Sequence, residues 1–256
     1  MIFERRIAAA PVGIAIVLFA APFLLLPIVA IADEWRSPAI IPQRFGLRGL
    51  RAVAGDAVIV EAITNSLIVG VGTTLFGLLL AWPAARALRG PAVPGWMTPV
   101  VLSPILIPPL VIGEGLRFWF LRLELADNLV GIGLSHSVAV VPYMILVLLP
   151  GFDQGLRRRE EAGRVLGASR FEIWWELTSR MLAGRIAVAV VLGFTVSWSQ
   201  YGTSLGVGGG IPMLPLVLVP FVRSDPQVAA VLDLVFLIPP FVLFASALRA
   251  GVDRTA

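Results

Sequence analysis

Residues 154–185 read QGLRRREEAGRVLGASRFEIWWELTSRMLAGR, a charged and then aromatic stretch set between two apolar blocks. Its first half favours a helix, with Leu156, Ala162, Val165 and Leu166 on or near one face. Gly167 stands where a left-handed residue ends such a helix. Ser169 followed by Glu172 has the spacing of a capping box, which predicts a second short helix from Arg170. Phe171, Ile173, Trp174, Trp175 and Leu177 make that second half bulky and apolar. The pattern is a helix–turn–helix. An ordinary loop, charged for topology and aromatic at a membrane interface, accounts for Trp174 and Trp175 alone. It does not account for ordered structure of this length where the neighbouring loops are short.

The surroundings of this stretch are those of a membrane protein. The chain has 256 residues, 58% of them hydrophobic and 14% charged, with a mean hydropathy of +0.91. The apolar residues come in blocks, and a hydrocarbon core of about 30 Å takes about 20 of them per helix. The expected fold is all-α and integral to the membrane, with six transmembrane helices over residues 7–32, 62–85, 97–113, 129–149, 186–205 and 228–248. The first block follows Arg5 and Arg6 and runs uncharged for 26 residues, longer than a signal-peptide core, so it reads as a retained helix. The third is short and holds Pro99, Pro104, Pro108 and Pro109; a kinked helix packed inside the bundle is expected, its freed carbonyls satisfied by neighbours. Residues 211–222 are apolar but too short to cross. With Pro212, Pro215 and Pro220 they suit a re-entrant or interfacial element, entered through the glycine-rich turn at 206–210.

There is no cysteine, so no disulfide framework and no thiolate metal site. All twenty basic residues are arginine, collected in loops between apolar blocks. That distribution fits membrane topology and not a nucleic-acid face. With six spans and both termini cytoplasmic, thirteen arginines fall inside and seven outside, the bias of the positive-inside rule. The chain has no lysine and so no phosphate-binding loop of the G-x-x-x-x-G-K type. A single histidine cannot supply a multi-histidine metal site, and no catalytic triad or dyad is recognisable. No catalytic residue, metal site or cofactor is expected in this chain.

Glu161-Ala162-Gly163, three further residues, then Gly167-Ala168-Ser169 resembles the EAA loop of the inner-membrane permeases of binding-protein-dependent ABC importers. In that family the loop forms coupling helices that dock on the ATP-binding subunit. The resemblance implies a docking element of Glu161, Ala162, Gly163, Gly167, Ala168, Ser169 and Arg170. Two departures stand out: Gly163 occupies an alanine position, and the later hydrophobic-x-Leu-Pro falls on Leu177, Ser179 and Arg180, without the leucine and the proline. The similarity runs over residues 60–249, through Thr64-Asn65-Ser66-Leu67, the proline-rich third block and His136 to Pro142. The segments FTVSWSQYGTSL and GGGIPMLPLVLVPFVRSDPQVAAV most resemble permeases for polyamines, ferric iron and thiamine. The resemblance implies a type I ABC importer transmembrane domain spanning the chain, in the bacterial plasma (inner) membrane. Its implied partners are ABC ATPase subunits that bind the ATP and Mg, a second permease subunit (a homologue or another copy) and an extracytoplasmic solute-binding protein, all amid membrane lipid.

Polar residues within spans are the remaining candidates. Asp233 lies near one end of the last block, and a carboxylate facing water or Arg223 explains it. Glu114, Arg117 and Arg122 read as loop residues after the third block. His136, between Ser135 and Ser137, reads as a neutral, hydrogen-bonded packing histidine. Ser197, Gln200 and Tyr201 fall at spacings of three and four, which places them on one helix face. That face either lines a translocation path or packs against a neighbouring helix. The competing function is a secondary transporter driven by an ion gradient, which favours charged or broken helices at the bilayer midplane in two matching halves. No internal repeat of that kind is visible.

Overall fold

The computed structural model describes residues 17–18 and 20–252, and among them the chain is predominantly helical. Three helices are long and apolar enough to cross a bilayer: Ala57–Leu88, Leu129–Gly151 and Pro226–Arg249. The count becomes five if each of two sharply bent helix pairs is one span. The expected first span, residues 7–32, lies largely outside the described residues; its described part includes a short helix, α1 (Ala20–Ala30). The chain separates into two compact units.

The first unit comprises the described part of Met1–Glu61 together with Val217–Ile238. After α1, strand β1 (Ala32–Glu34) pairs antiparallel with β2 (Arg44–Phe45), and α2 (Arg48–Gly55) follows. Asp56 then starts α3 (Ala57–Leu88), its Oδ1 accepting from the Val58 amide at 2.9 Å. This hairpin is latched to the first turn of α12 (Pro226–Val252). Arg48 donates twice to the Asp225 carboxylate, at 2.6 and 2.9 Å. Buried Gln227 donates through Nε2 to Asp33 Oδ1 at 2.9 Å and lies 3.3 Å from the Ala30 carbonyl. Gly46 and Gly49 let the backbone approach these groups, since a Cβ would fall 2.1 Å from Asp33 Oδ2 and 2.9 Å from Gln227 Cγ respectively.

The second unit comprises Ala62–Leu216 and Pro239–Ala256 as far as described. Here α4 (Met97–Leu102) continues through a 3-10 turn (Ser103–Leu106) and then breaks before α5 (Pro109–Arg122). The third block is therefore not one kinked helix. The two pieces meet at 102° because Ile107 and Pro108, each followed by a proline, take extended ψ values of 127° and 135°. Helix α5 carries on to Arg122, so Glu114, Arg117 and Arg122 are helical and not loop residues. Next come α6 (Leu129–Leu148), capped by the Asn128 side chain, α7 (Gln154–Val165) and α8 (Arg170–Met181). Helices α9 (Ala183–Trp198) and α10 (Tyr201–Val207) follow. The expected fifth span is thus interrupted at Ser199–Gln200. The apolar segment after the glycine turn forms α11 (Leu214–Ser224), too short to span. Its start is tied to α3, where Asn65 Nδ2 donates to the Pro212 carbonyl at 3.0 Å and Ser66 Oγ accepts from the Leu214 amide at 2.8 Å.

Packing in this unit relies on missing side chains. Helices α5 and α10 cross at Gly113, Gly202 and Gly206, where a Cβ on Gly206 would stand 2.7 Å from the Gly113 carbonyl carbon. Gly202 and Gly206 form a small-xxx-small pair, the pattern that lets membrane helices touch backbone to backbone. Gly193 leaves room for the Met144 side chain between α9 and α6.

Two predictions follow from these contacts. Gly206→Leu forces α5 and α10 apart and destabilises the protein by about 1–3 kcal/mol, read as a lower melting temperature in detergent. Gly72→Ala, where a Cβ meets nothing within 4 Å, leaves it unchanged or higher. Arg48 holds the Asp225 carboxyl below its ordinary value of 3.8, and Gln227 does the same for Asp33. A depressed folded pKa stabilises above the unfolded value and is lost as pH falls through the folded one. Protection of the β1–β2 hairpin against hydrogen exchange, corrected for intrinsic rates, therefore drops only below about pH 4. Asp225→Asn lowers it already at neutral pH.

Candidate functional site: the charged hairpin and the interrupted span

The hairpin forms as its local chemistry dictates. Asp153 caps α7 by accepting from the Leu156 amide at 2.8 Å. Gly167 ends that helix at φ +86°, with its amide donating to Arg164 O and the Ala168 amide to Gly163 O, both at 3.0 Å. The capping box is complete: Ser169 Oγ accepts from the Glu172 amide at 3.2 Å, and Glu172 accepts from the Ser169 amide at 2.7 Å. That hydrogen bond holds the Glu172 carboxyl below its ordinary value. Helix α8 widens into a π-helical turn over Ile173–Thr178. It then meets α9 at a 71° bend, with Leu182 as the non-helical hinge (ψ 2°). The bend needs no proline: Leu182 is buried beside Gly151, where a Cβ would stand 2.3 Å from Leu182 Cδ2.

One carboxylate fastens this hairpin to the span before it. Glu160 is 3% exposed. It accepts from Arg86 Nη1 at 3.1 Å and Nη2 at 2.6 Å, a two-pronged pair from the end of α3. Thr178 Oγ1 donates to it from α8 at 2.7 Å. Arg86 lies one turn beyond Trp82, which meets Phe152 and Trp174 edge-on at 5.4 and 6.4 Å between ring centres. Leu156, Phe152 and Leu182 close the joint in a buried apolar cluster with Ala85, Val140, Met144 and Leu148. Arginines tie down helix ends nearby: Arg157 donates to the Arg89 carbonyl, Arg89 Nε to Leu149 O at 3.3 Å and Arg185 Nη1 to Val147 O at 3.4 Å.

The residues expected to dock fall together on this hairpin. Glu161, Ala162, Gly167, Ser169 and Arg170 are exposed, and Gly163 and Ala168 half-buried. Gly163 faces Ile173, and an alanine Cβ there would meet Ile173 Cγ1 at 3.4 Å, ordinary contact. The glycine is thus a neutral departure in shape. Val165 and Leu166, expected on one apolar face with Leu156, do not share its burial: Leu156 is 2% exposed, whereas each of them is 87% exposed beside the turn. The sequence reading missed Glu160, passed over for its neighbour Glu161. The signal for Glu160 was its position four residues after Leu156, on the buried face of α7.

The second candidate group is organised differently from the expected single face. Because the helix breaks at Ser199–Gln200, Tyr201 opens α10, 40% exposed, whereas Ser197 and Gln200 are buried at 2% and 4%. His136 on α6 bridges the break, Nδ1 lying 2.9 Å from Ser197 Oγ and Nε2 2.9 Å from Ser204 Oγ. Ser204 gives its proton to the Gln200 carbonyl at 2.6 Å. The network therefore assigns Nε2–H as donor to Ser204 and Nδ1 as acceptor from Ser197, the pattern of a neutral ring. Gln200 Oε1 accepts from Thr203 Oγ1 at 3.1 Å. Polar backbone freed at the interruption is satisfied within the unit, as an apolar environment demands.

No protein-family profile matches the chain. It is 26% identical over 234 residues to the molybdenum transport system permease protein ModB of Mycobacterium bovis, an alignment covering 84% of this chain and 85% of that one. It is likewise 26% identical over 167 residues to the molybdate/tungstate transport system permease protein WtpB of Pyrococcus furiosus, covering 64% and 67%. The fold matches a chain in the crystal structure of a bacterial ABC transporter involved in the import of the acidic polysaccharide alginate. That match has a TM-score of 0.73 over 96% of both chains at 16% identity, a likeness of fold. Similarity along most of the sequence and a shared architecture point the same way: this chain is similar to permease subunits of molybdenum and molybdate/tungstate transport systems and has the fold of an ABC importer chain.

Proposed function

We propose that this permease forms, with a second permease subunit, the path for a small oxyanion or similar polar solute, and that residues 154–185 dock it on a separate ATPase. One observation carries the reading: a doubly capped hairpin, pinned at its base by buried Glu160, presents Val165 and Leu166 bare at its turn. Exposed aliphatic side chains on a rigid mount suit insertion into a partner's groove. Glu161, Ala162, Gly163, Gly167, Ala168, Ser169 and Arg170 flank that contact. The ATPase binds the ATP and Mg, and this chain needs no cofactor of its own. An extracytoplasmic binding protein delivers the solute, and both termini face the cytoplasm of a bacterial plasma membrane. Closure of the ATPases moves the hairpin, and the joint at Arg86, Trp82 and Leu182 passes that displacement to α3 and α9.

The solute class follows from the relatives named above, whose names specify molybdenum, molybdate or tungstate; none of them names a polyamine, iron or thiamine. The Tyr201 hydroxyl, at the head of α10 and 40% exposed, is a donor suited to an oxyanion's acceptor oxygens. Ser197 and Gln200 support the break from within, and Tyr201 is the member of the three free to meet solute.

Val165→Asp with Leu166→Asp is expected to weaken co-purification of the ATPase at least about tenfold, the loss of one buried apolar anchor or more, and to abolish uptake. Undiminished ATPase binding and uptake would overturn the docking assignment. Tyr201→Ala is expected to lower uptake and solute-stimulated ATP hydrolysis severalfold with assembly intact, measured in vesicles with the binding protein. Unchanged rates would remove Tyr201 from the path.

A further inference from the structure

Arg86, Arg164, Arg170, Ile173 and Trp174 line a cavity of about 420 Å3 at the base of the hairpin. Its charge is unbalanced. Glu160 takes both prongs of Arg86, and Arg164 stands 3.9 Å from the same carboxylate. Arg170 makes no ion pair among the described residues. Glu172 is engaged by the Ser169 cap. Three guanidinium groups thus face one carboxylate, an excess of two positive charges. The adjoining cavity of about 490 Å3 shares Arg86 and Arg164 and adds Arg157 and Glu161, one charge of each sign.

Position and chemistry both point to the occupant. Arg86 lies in the last turn of α3, one turn past Trp82, at the end of a helix long enough to span the bilayer. Trp174 packs on Trp82 and continues into Phe171 and Trp175, the last two stacked at 6.5 Å and nearly parallel. These three rings are 42–68% exposed. Aromatic clusters at span ends sit at headgroup depth, and basic pockets between helices at that depth take anionic head groups. Guanidinium forks match phosphate oxygens in geometry. We infer that this cavity binds the phosphate of an anionic phospholipid headgroup. Arg164 and Arg170 donate to its oxygens, Arg86 is held as the wall by Glu160, and the Trp174 ring lies along the apolar glycerol end. Arg170 also flanks the docking contact of the proposed function, so the test reads lipid retention and ATPase co-purification separately.

The test uses the full chain reconstituted in phosphatidylcholine vesicles with or without phosphatidylglycerol, then extracted and examined by native mass spectrometry. One retained phosphatidylglycerol is expected on the wild type. Retention should fall at least about tenfold in Arg164→Gln with Arg170→Gln, through loss of charge-assisted contacts. Both side chains are exposed, so the melting temperature should hold, and Arg164→Lys with Arg170→Lys should restore part of the binding. Equal retention by wild type and the glutamine variant would overturn the site. Stabilisation by inorganic phosphate in detergent, without retained phosphatidylglycerol, would overturn the lipid in favour of a free anion. Retention intact with ATPase co-purification lost in phosphatidylcholine alone would also overturn it, assigning both arginines to a partner protein.

Discussion

A carboxylate almost closed off from solvent inside an apolar bundle persists only if its oxygens are engaged by donors, at least one of them charged. Glu160 meets that condition through Arg86 on α3 and Thr178 on α8, while itself belonging to α7. Three elements are thereby fixed to one point. Neither half of the hairpin can swing independently of the span end without exposing or orphaning that charge. The alternative cost, an unpaired buried charge, is about 3–5 kcal/mol, enough to make the joint rigid on the scale of thermal motion. A joint this rigid carries any displacement at the hairpin's turn to the end of α3.

The same accounting governs the two interruptions. Where Pro108 and Pro109 break the third block, and where α9 gives way to α10, backbone groups lose their helical partners. At the second break the loss is made good locally: Ser204 Oγ fills the Gln200 carbonyl, and His136 ties Ser204 to Ser197 across the gap. At the crossing of α5 and α10, glycines replace side chains so that backbones meet directly. Arg117 then donates to the Gly206 carbonyl at 3.0 Å. An interrupted span with a neutral hydrogen-bond clasp differs from the charged midplane sites of ion-driven transporters.

Departures from the family pattern have structural answers. Gly163 fills a position where alanine would also fit against Ile173. The missing leucine and proline after the motif leave α8 without a sequence stop, and the chain turns instead at Leu182, pulled into the apolar cluster beside Gly151. Burial energy replaces a backbone constraint there.

The sequence by itself determined what depends on neighbours along the chain. The cap at Ser169, the left-handed stop at Gly167, the long apolar helices and the basic bias of the loops all rest on residues within a few positions of each other. Proximity in sequence is sufficient to set such short-range hydrogen bonds and hydropathy. Tertiary structure alone decided the rest. Glu161 was legible from its motif, but Glu160 became important only when Arg86, 74 positions away, came within 2.6 Å. Ser197, Gln200 and Tyr201 fit one helix face on paper. The break that separates them is supported by His136, 61 positions from Ser197. Partners that distant are brought together by packing, and no local pattern encodes which pairs will meet.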